Sequence, residues 1–416
     1  MGFIMVELTL ADISKQLTEG VIRNIFSQRS KTEDSVREIE VTRGAPPGEG
    51  LLSAVYKVYA IGKEETVSIF VKALVKDELL RKSLNCVKYF NRELYFYSEI
   101  LPILIKLEKS TGAIERFQND VPICYGYFTN GTDDYLLIEN VSESKCDALS
   151  LYPTEFEIKM TLKVLAHLHA VSIALRTIRP EEFLKIADSL PEVYYLKSNK
   201  DWYVRFLECA INIDKDVIKE CEDPSTIYYQ KFMDLVNRDV YDDLVNLVTT
   251  RGDNPVLTHG DAWCTNFLCS KERAVAIDFQ FFRCSSSVID VAYFLMLCSS
   301  HFDGKIDYLK AVKVYYGFLT YYLTDMGLNA SDVYSWDTLE EELRKYGKFS
   351  ILAALTSIPL IISERYDSLE YDDSNKSKET ERISLQDLWK LTAYKTTEEK
   401  MRLVSALHIA VDMGFI

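Results

Sequence analysis

The run His259-Gly-Asp-Ala-Trp-Cys-Thr-Asn266, followed by Ala276-Ile-Asp278-Phe279-Gln280, gathers residue types that could do chemistry. It sets a carboxylate, Asp261, ahead of a carboxamide, Asn266, and then a second carboxylate, Asp278, at the end of an apolar stretch. Phosphoryl transfer from ATP requires a base for the attacking hydroxyl and oxygen ligands for Mg²⁺ on the triphosphate. Asp261 has the type and place to orient the hydroxyl and take its proton, and Asn266 and Asp278 to hold the metal. Their order matches the catalytic loop and metal-binding strand of kinases. His259 is read as a loop-bracing hydrogen bonder, and Trp263 as packing for the loop. Asp290, opening the apolar run Val288–Phe294, is expected to tie that run to the loop.

A second pair lies upstream. Lys72 follows an apolar stretch, and Glu93 stands in the helical run Phe90-Asn-Arg-Glu-Leu-Tyr-Phe-Tyr97. An ammonium on the α and β phosphates of the nucleotide, held by a helix carboxylate, is the partnership that ATP binding asks for. Glu99 is a nearby competitor for Glu93. Gly48, Gly50 and Ser53 could cover the phosphates with backbone N–H groups and a hydroxyl. That loop fits neither GxGxxG nor Walker A, and a plain Pro-Gly turn is the alternative. Glu139 and Val141, after an apolar strand, could serve adenine through backbone groups.

Those residues need elements to position them. A helix is expected over about 10–28, then strands at 38–43 and 53–59. Val67, Ile69 and Val71 alternate with Ser68, Phe70 and Lys72, the period of a strand with two distinct faces. A helix is expected over 87–99, stopped by Pro102, and a strand at 135–139. From Thr154 the pattern turns helical: Thr154 with Glu157 makes a capping box, and Ile158, Leu162, Leu165 and Leu168 keep the helical period. Further helices are expected across 176–250, 305–327, 337–362 and 384–413, with short strands at 255–258 and 274–277 bearing the catalytic set at their ends. The polar run 371–382 reads as a surface loop. The expected acceptor pocket adjoins Asp261, lined partly by Phe281 and Phe282.

Composition bounds these readings. A chain of 416 residues exceeds one compact core, so two lobes are expected, 1–140 and 141–416. The net charge of −15 argues against nucleic acid or an anionic membrane as the main partner; the partner that the Asp261 motif calls for is a small hydroxylated molecule. No segment is expected to reach transmembrane length; the best candidate, 351–362, is short and carries Pro359. The start lacks the basic region of a signal peptide. Nine scattered cysteines then read as reduced thiols in the cytoplasm. With five histidines and no HExxH, a zinc site is not expected. Oligomeric state leaves no trace in the sequence.

The blocks at 90–102, 257–266 and 277–280 resemble those of the arthropod ecdysteroid kinase-like family, related to choline and aminoglycoside kinases. The resemblance runs from about Arg43 to the Gly-Phe-Ile end. It implies an α+β, bilobal protein-kinase-like fold, with an antiparallel sheet and helix in the N-lobe and a larger, mostly helical C-lobe. It also implies ATP- and Mg²⁺-dependent phosphorylation of a small-molecule hydroxyl: an ecdysteroid, or a xenobiotic alcohol in detoxification. Gly-Glu-Gly-Leu-Leu-Ser53 departs from the family's more usual Gly-Glu-Asn-Tyr-x-Ser, while the positions of Lys72, Glu93, Asp261, Asn266 and Asp278 match. Three alternatives stand beside it. A protein kinase would need a long segment and an Ala-Pro-Glu landmark after Asp278, and neither is present. A catalytically dead binding protein would be free to lose these residues. A kinase for a cationic acceptor such as choline is the nearer rival.

Overall fold

The computed structural model describes residues 8–31, 34–44, 52–363 and 383–416. Gly48, Gly50 and the polar run 371–382 lie outside them. The chain divides into two units. Of the described residues, the first holds 8–97, 122–146 and 383, and the second holds 98–121, 147–363 and 384–416.

The first unit opens with α1 (Leu10–Ile13) and α2 (Glu19–Arg29), where one helix was expected. The break follows from Ser14, whose hydroxyl donates to the Asp133 carbonyl (2.7 Å) and accepts the Gln16 N–H (3.1 Å). Such local side-chain bonds compete with the helical ladder. Strands β1 (Glu38–Arg43), β2 (Ala54–Ile61), β3 (Thr66–Ala73), β4 (Cys124–Phe128) and β5 (Tyr135–Glu139) follow. Among the described residues they form one antiparallel sheet in the order β1-β2-β3-β5-β4. Strand β4, Cys-Tyr-Gly-Tyr-Phe, has no aliphatic alternation and a register shift at Cys124/Gly126, so no sequence pattern announced it. Ile22 and Phe26 of α2 pack with Val58, Ala60, Ile69, Val71 and Leu137 in an apolar core.

In β3 the alternation does not translate into one wet face, because Ser68 and Lys72 are buried as well. Each has a polar partner: Ser68 accepts from Asn140 Nδ2 (2.6 Å), and Lys72 meets Glu93. After α3 (Glu78–Ser83), helix α4 (Cys86–Tyr95) supplies that carboxylate. Pro102 does not stop the helix as expected. A π-turn, Phe96–Ile100, intervenes, and α5 (Leu101–Thr111) starts afresh with Pro102 in its first turn, where a missing N–H breaks no helical bond.

The second unit is built on α6 (Glu155–Ile178). Its capping box is present: Thr154 N–H donates to Glu157 Oε2 (2.7 Å), and Glu157 N–H to Thr154 Oγ1 (3.3 Å). At 24 residues α6 is long and apolar enough to cross a membrane, contrary to the expectation that no segment would be. However, 83% of its most apolar stretch is buried inside the protein, the condition of a core helix. Around it run α7 (Pro180–Asp188), α8 (Lys200–Cys221), α9 (Ile227–Val236), α10 (Val240–Thr249), α11 (Val288–Leu297), α12 (Gly304–Asp325), α13 (Ala330–Val333), α14 (Trp336–Tyr346), α15 (Lys348–Ile362), α16 (Leu385–Leu388) and α17 (Thr397–Asp412). Short strands sit among them: β6 (Asp147–Ala148), β7 (Val256–Thr258), β8 (Phe267–Cys269), β9 (Ala274–Ala276) and β10 (Arg283–Ser285). Among the described residues these pair as β6-β8-β9 and β7-β10. An antiparallel sheet with helices α1 to α4 in the first unit and a mostly helical second unit make the α+β architecture that the resemblance implied.

Candidate active site

In the first unit, Lys72 Nζ lies 2.9 and 2.7 Å from the two carboxylate oxygens of Glu93. Lys72 is 6% exposed and Glu93 1%. A buried pair of this kind survives only because each charge answers the other. Glu99, the competitor, is exposed. Ser53 is buried immediately before β2. Glu139 N–H donates to the Ile123 carbonyl (2.8 Å), so any backbone service to a ligand falls to the Glu139 carbonyl. Val141 is the first residue of a 3₁₀ turn, Val141–Ser144, where the N–H has no partner inside the turn.

In the second unit the candidate catalytic residues hang between two pairs of strands. β7 is wholly buried and pairs with β10, and α6 holds it through Ser172 Oγ, which accepts the Leu257 N–H (2.7 Å). Where β7 ends, Asp290 of α11 takes the His259 N–H (2.6 Å) and the Gly260 N–H (2.9 Å) on its two oxygens. His169 Nε2 faces the same carboxylate at 3.1 Å. Burial alone would raise the Asp290 carboxyl; the bond and charge of His169 and the Gly260 N–H outweigh it and hold it low. Asp290 is thus the tie the sequence suggested. His169 was missed, although a His-x-His pair in an otherwise apolar helix is a readable signal.

His259 braces the loop on both ring nitrogens. Nε2 lies 2.9 Å from the Ile277 carbonyl and Nδ1 3.3 Å from the Asp261 N–H, which fixes Nε2 as the protonated nitrogen. Gly260 has φ +83°, and a Cβ there would lie 2.0 Å from the Phe281 carbonyl oxygen. Only glycine fits so close an approach of the two segments. Arg283 completes the contact, donating from Nη2 to the Gly260 carbonyl (3.2 Å) and from Nε to the Phe281 carbonyl (3.2 Å). This residue too was missed.

Asn266 Nδ2 donates to the Asp261 carboxylate (2.9 Å) and to the Asp261 carbonyl (3.0 Å). The Asn266 amide is oriented by those bonds, which leaves its Oδ1 as the atom able to bind a cation. The Asn266 carbonyl accepts the Ile277 N–H (2.9 Å), linking this loop to the residue before Asp278. Asp278 stands at φ +67°, ψ +64°, a left-handed conformation uncommon for a non-glycine residue and concentrated at functional sites. Burial, and secondly the Asp278 charge, push the Asp261 carboxyl up to about 7, against the opposing Asn266 bond. That carboxyl therefore gains proton affinity where a base needs it. Trp263 is half-buried. Phe282 is a core residue, 6.0 Å from the Phe279 ring and 0% exposed, so it cannot line a pocket as expected. Phe281 is half-buried, with its ring 4.9 Å from that of Tyr194.

Comparison with known proteins adds to this geometry. No curated protein sequence matches the chain significantly. Among solved structures, similar ones are a choline kinase from Cryptosporidium parvum Iowa II (12% identity, 96% of this chain and 98% of that one, TM-score 0.47) and an ethanolamine kinase from Plasmodium vivax (13%, 91% and 83%, 0.40). A spectinomycin phosphotransferase in complex with ADP and spectinomycin is a third (12%, 97% and 100%, 0.39). The sequence model of the ecdysteroid kinase-like family matches residues 47–328, which span the pair at Lys72 and the whole catalytic set. The chain belongs to the ecdysteroid kinase-like family.

Proposed function

We propose that the protein is a small-molecule kinase that transfers the γ-phosphate of ATP to a hydroxyl of a lipophilic acceptor, an ecdysteroid or a xenobiotic alcohol. The observation that carries this reading is the Asp261–Asn266 bond, which aims a carboxylate base and frees a neighbouring carbonyl oxygen for a metal. Lys72, steadied by Glu93, serves the α and β phosphates, and Asn266 Oδ1 and the Asp278 carboxylate hold Mg²⁺. Bound Mg²⁺ supplies neutralisation of the phosphate charge. Asp261 accepts the proton of the acceptor hydroxyl, and the Gly260 backbone and His259 ring keep it in place. The half-buried Phe281 ring beside Tyr194 and membership of the family support an apolar acceptor.

The test is phosphate addition read by mass spectrometry, with Mg²⁺, ATP and a panel of ecdysteroids, phenols, glycosides and choline. Phosphorylation of a hydroxylated lipophile by the wild type and not by Asp261→Ala is the expected result. Reaction with choline alone would replace the lipophilic acceptor by a cationic one. A folded sample that takes up no ATP with divalent ions would end the kinase reading.

A further inference from the structure

Helix α6 carries two buried histidines, His167 and His169, and only His169 has a part in the site described above. Residues i and i+2 lie about 200° apart around a helix, so the two rings leave opposite sides. His169 reaches Asp290 and the catalytic loop. His167 reaches two other carboxylates: Nε2 is 3.0 Å from Glu108 Oε1, and Nδ1 is 2.5 Å from Asp120 Oδ2. The ring stacks on Tyr322 of α12, with centroids 3.8 Å apart and planes at 2°. A neutral imidazole offers one N–H and one lone pair; only the imidazolium gives each carboxylate a donor. Burial opposes that charge, yet the bonds to Asp120 and Glu108 outweigh it and push His167 up to about 9.

We propose that His167 is a positioning residue for the metal-binding strand, an imidazolium clamp that holds residues 117–121 against β9. Glu108 of α5, besides meeting His167, accepts the Phe117 N–H on both oxygens (3.0 and 3.1 Å). The Asp120 carbonyl accepts the N–H of Ala276, the last residue of β9 (2.8 Å), and Arg273 Nε donates to the Asn119 carbonyl (2.7 Å). Ile277 follows, held by the Asn266 carbonyl, and then Asp278. Thus α6 braces both strands that carry the chemistry, one through each histidine. Without the cation, Glu108 and Asp120 become two inward carboxylates with no counter-charge between them, a costly arrangement that moving Asp120 relieves. Moving Asp120 takes the Ala276 hydrogen bond with it. The clamp itself is independent of the kinase reading; its effect on Mg²⁺ rests on that reading.

Histidine-labelled protein near neutral pH should show both ring nitrogens of His167 protonated, the resonance being assigned by its loss in His167→Gln. A neutral ring overturns the charged clamp. In folded His167→Gln, amide exchange in a peptide covering 274–278 should quicken while that in 66–73 does not. Calorimetric affinity for Mg²⁺·ADP should fall by about tenfold, the low end of what loss of an outer partner does to a metal site. The double variant His167→Gln/Asp120→Asn, which removes one of the two facing charges, should recover most of both effects. Unchanged exchange at 274–278 overturns the proposal, as does a loss the double variant does not recover. If the wild type fails to bind Mg²⁺·ADP, the kinase reading falls, and the ring state and exchange still decide the clamp.

Discussion

Lys72 and Asp278 are both charged residues at strand positions, yet they are held by different means. Lys72 lies inside an eight-residue strand, paired across to Val55 on β2 and Leu136 on β5, and its charge meets the Glu93 carboxylate of a nearby helix. Asp278 stands beyond a three-residue strand, on left-handed backbone, and its surroundings are fixed by groups from α6, α11, the His259 loop and the 117–121 segment. A regular ladder can aim a side chain without outside help. An irregular backbone needs braces, because no ladder bonds set its direction. The cost of regularity is flexibility of design: strained, over-determined segments can place carboxylates where no strand could.

Perturbing each region should separate these two modes of support. The largest effect belongs to Asp261→Asn, expected to lower phosphotransfer by about a thousandfold, the worth of a positioned base. The same variant should melt no lower, and higher above neutral pH without Mg²⁺. The sign follows from the carboxyl, which is raised to about 7 in the fold. An acid with a raised folded pKa favours the folded state while protonated, so stability is lost as pH climbs from about 4 toward 7 and stays lost above. Asparagine cannot ionise and escapes that loss. A melting curve for Asp261→Asn that tracks the wild type at every pH would remove the burial argument.

Next is Lys72→Met, which takes from the buried Glu93 the ammonium that meets both its carboxylate oxygens. Breaking such a pair costs about 3–5 kcal/mol. Lys72→Met with Glu93→Gln should regain most of that stability and none of the phosphotransfer, by denaturation and by product assay. If the single variant is as stable as the wild type, the pair is not what holds Lys72.

The sequence displayed these two regions unequally. Lys72 with Glu93, and Asp261 with Asn266 and Asp278, were legible because phosphoryl transfer demands particular atoms and each residue lies near apolar runs of readable period. Their braces were not. Asp290 was placed by its position opening an apolar helix, but His169 meets it across 121 residues, and His167 meets Asp120 and Glu108 across 47 and 59. Nothing in local spacing encodes partners so distant. Strands β8 and β10 are three residues each, too short to show a period. The break after α1 and the fresh start at Pro102 turned on single side-chain bonds and a π-turn, which local propensity does not reveal.

Smaller perturbations sharpen the contrast further. Gly260→Ala sets a methyl group against the Phe281 carbonyl and demands a left-handed alanine, so a loss of about 2 kcal/mol or more is expected, with activity falling alongside. A fully active, equally stable Gly260→Ala protein would show that the two segments can part freely. The mildest test is Thr154→Ala, which removes the side-chain cap of α6 at a cost of about 1 kcal/mol. Because Ser172, His169 and His167 all stand on that helix, many residues beyond the cap, a rigid α6 should pass none of the loss to them: melting drops slightly while turnover and metal dependence hold. If turnover falls with the cap instead, the braces depend on the anchoring of the helix's first turn, and the second unit's site is held less by its local bonds than by the stability of one long element.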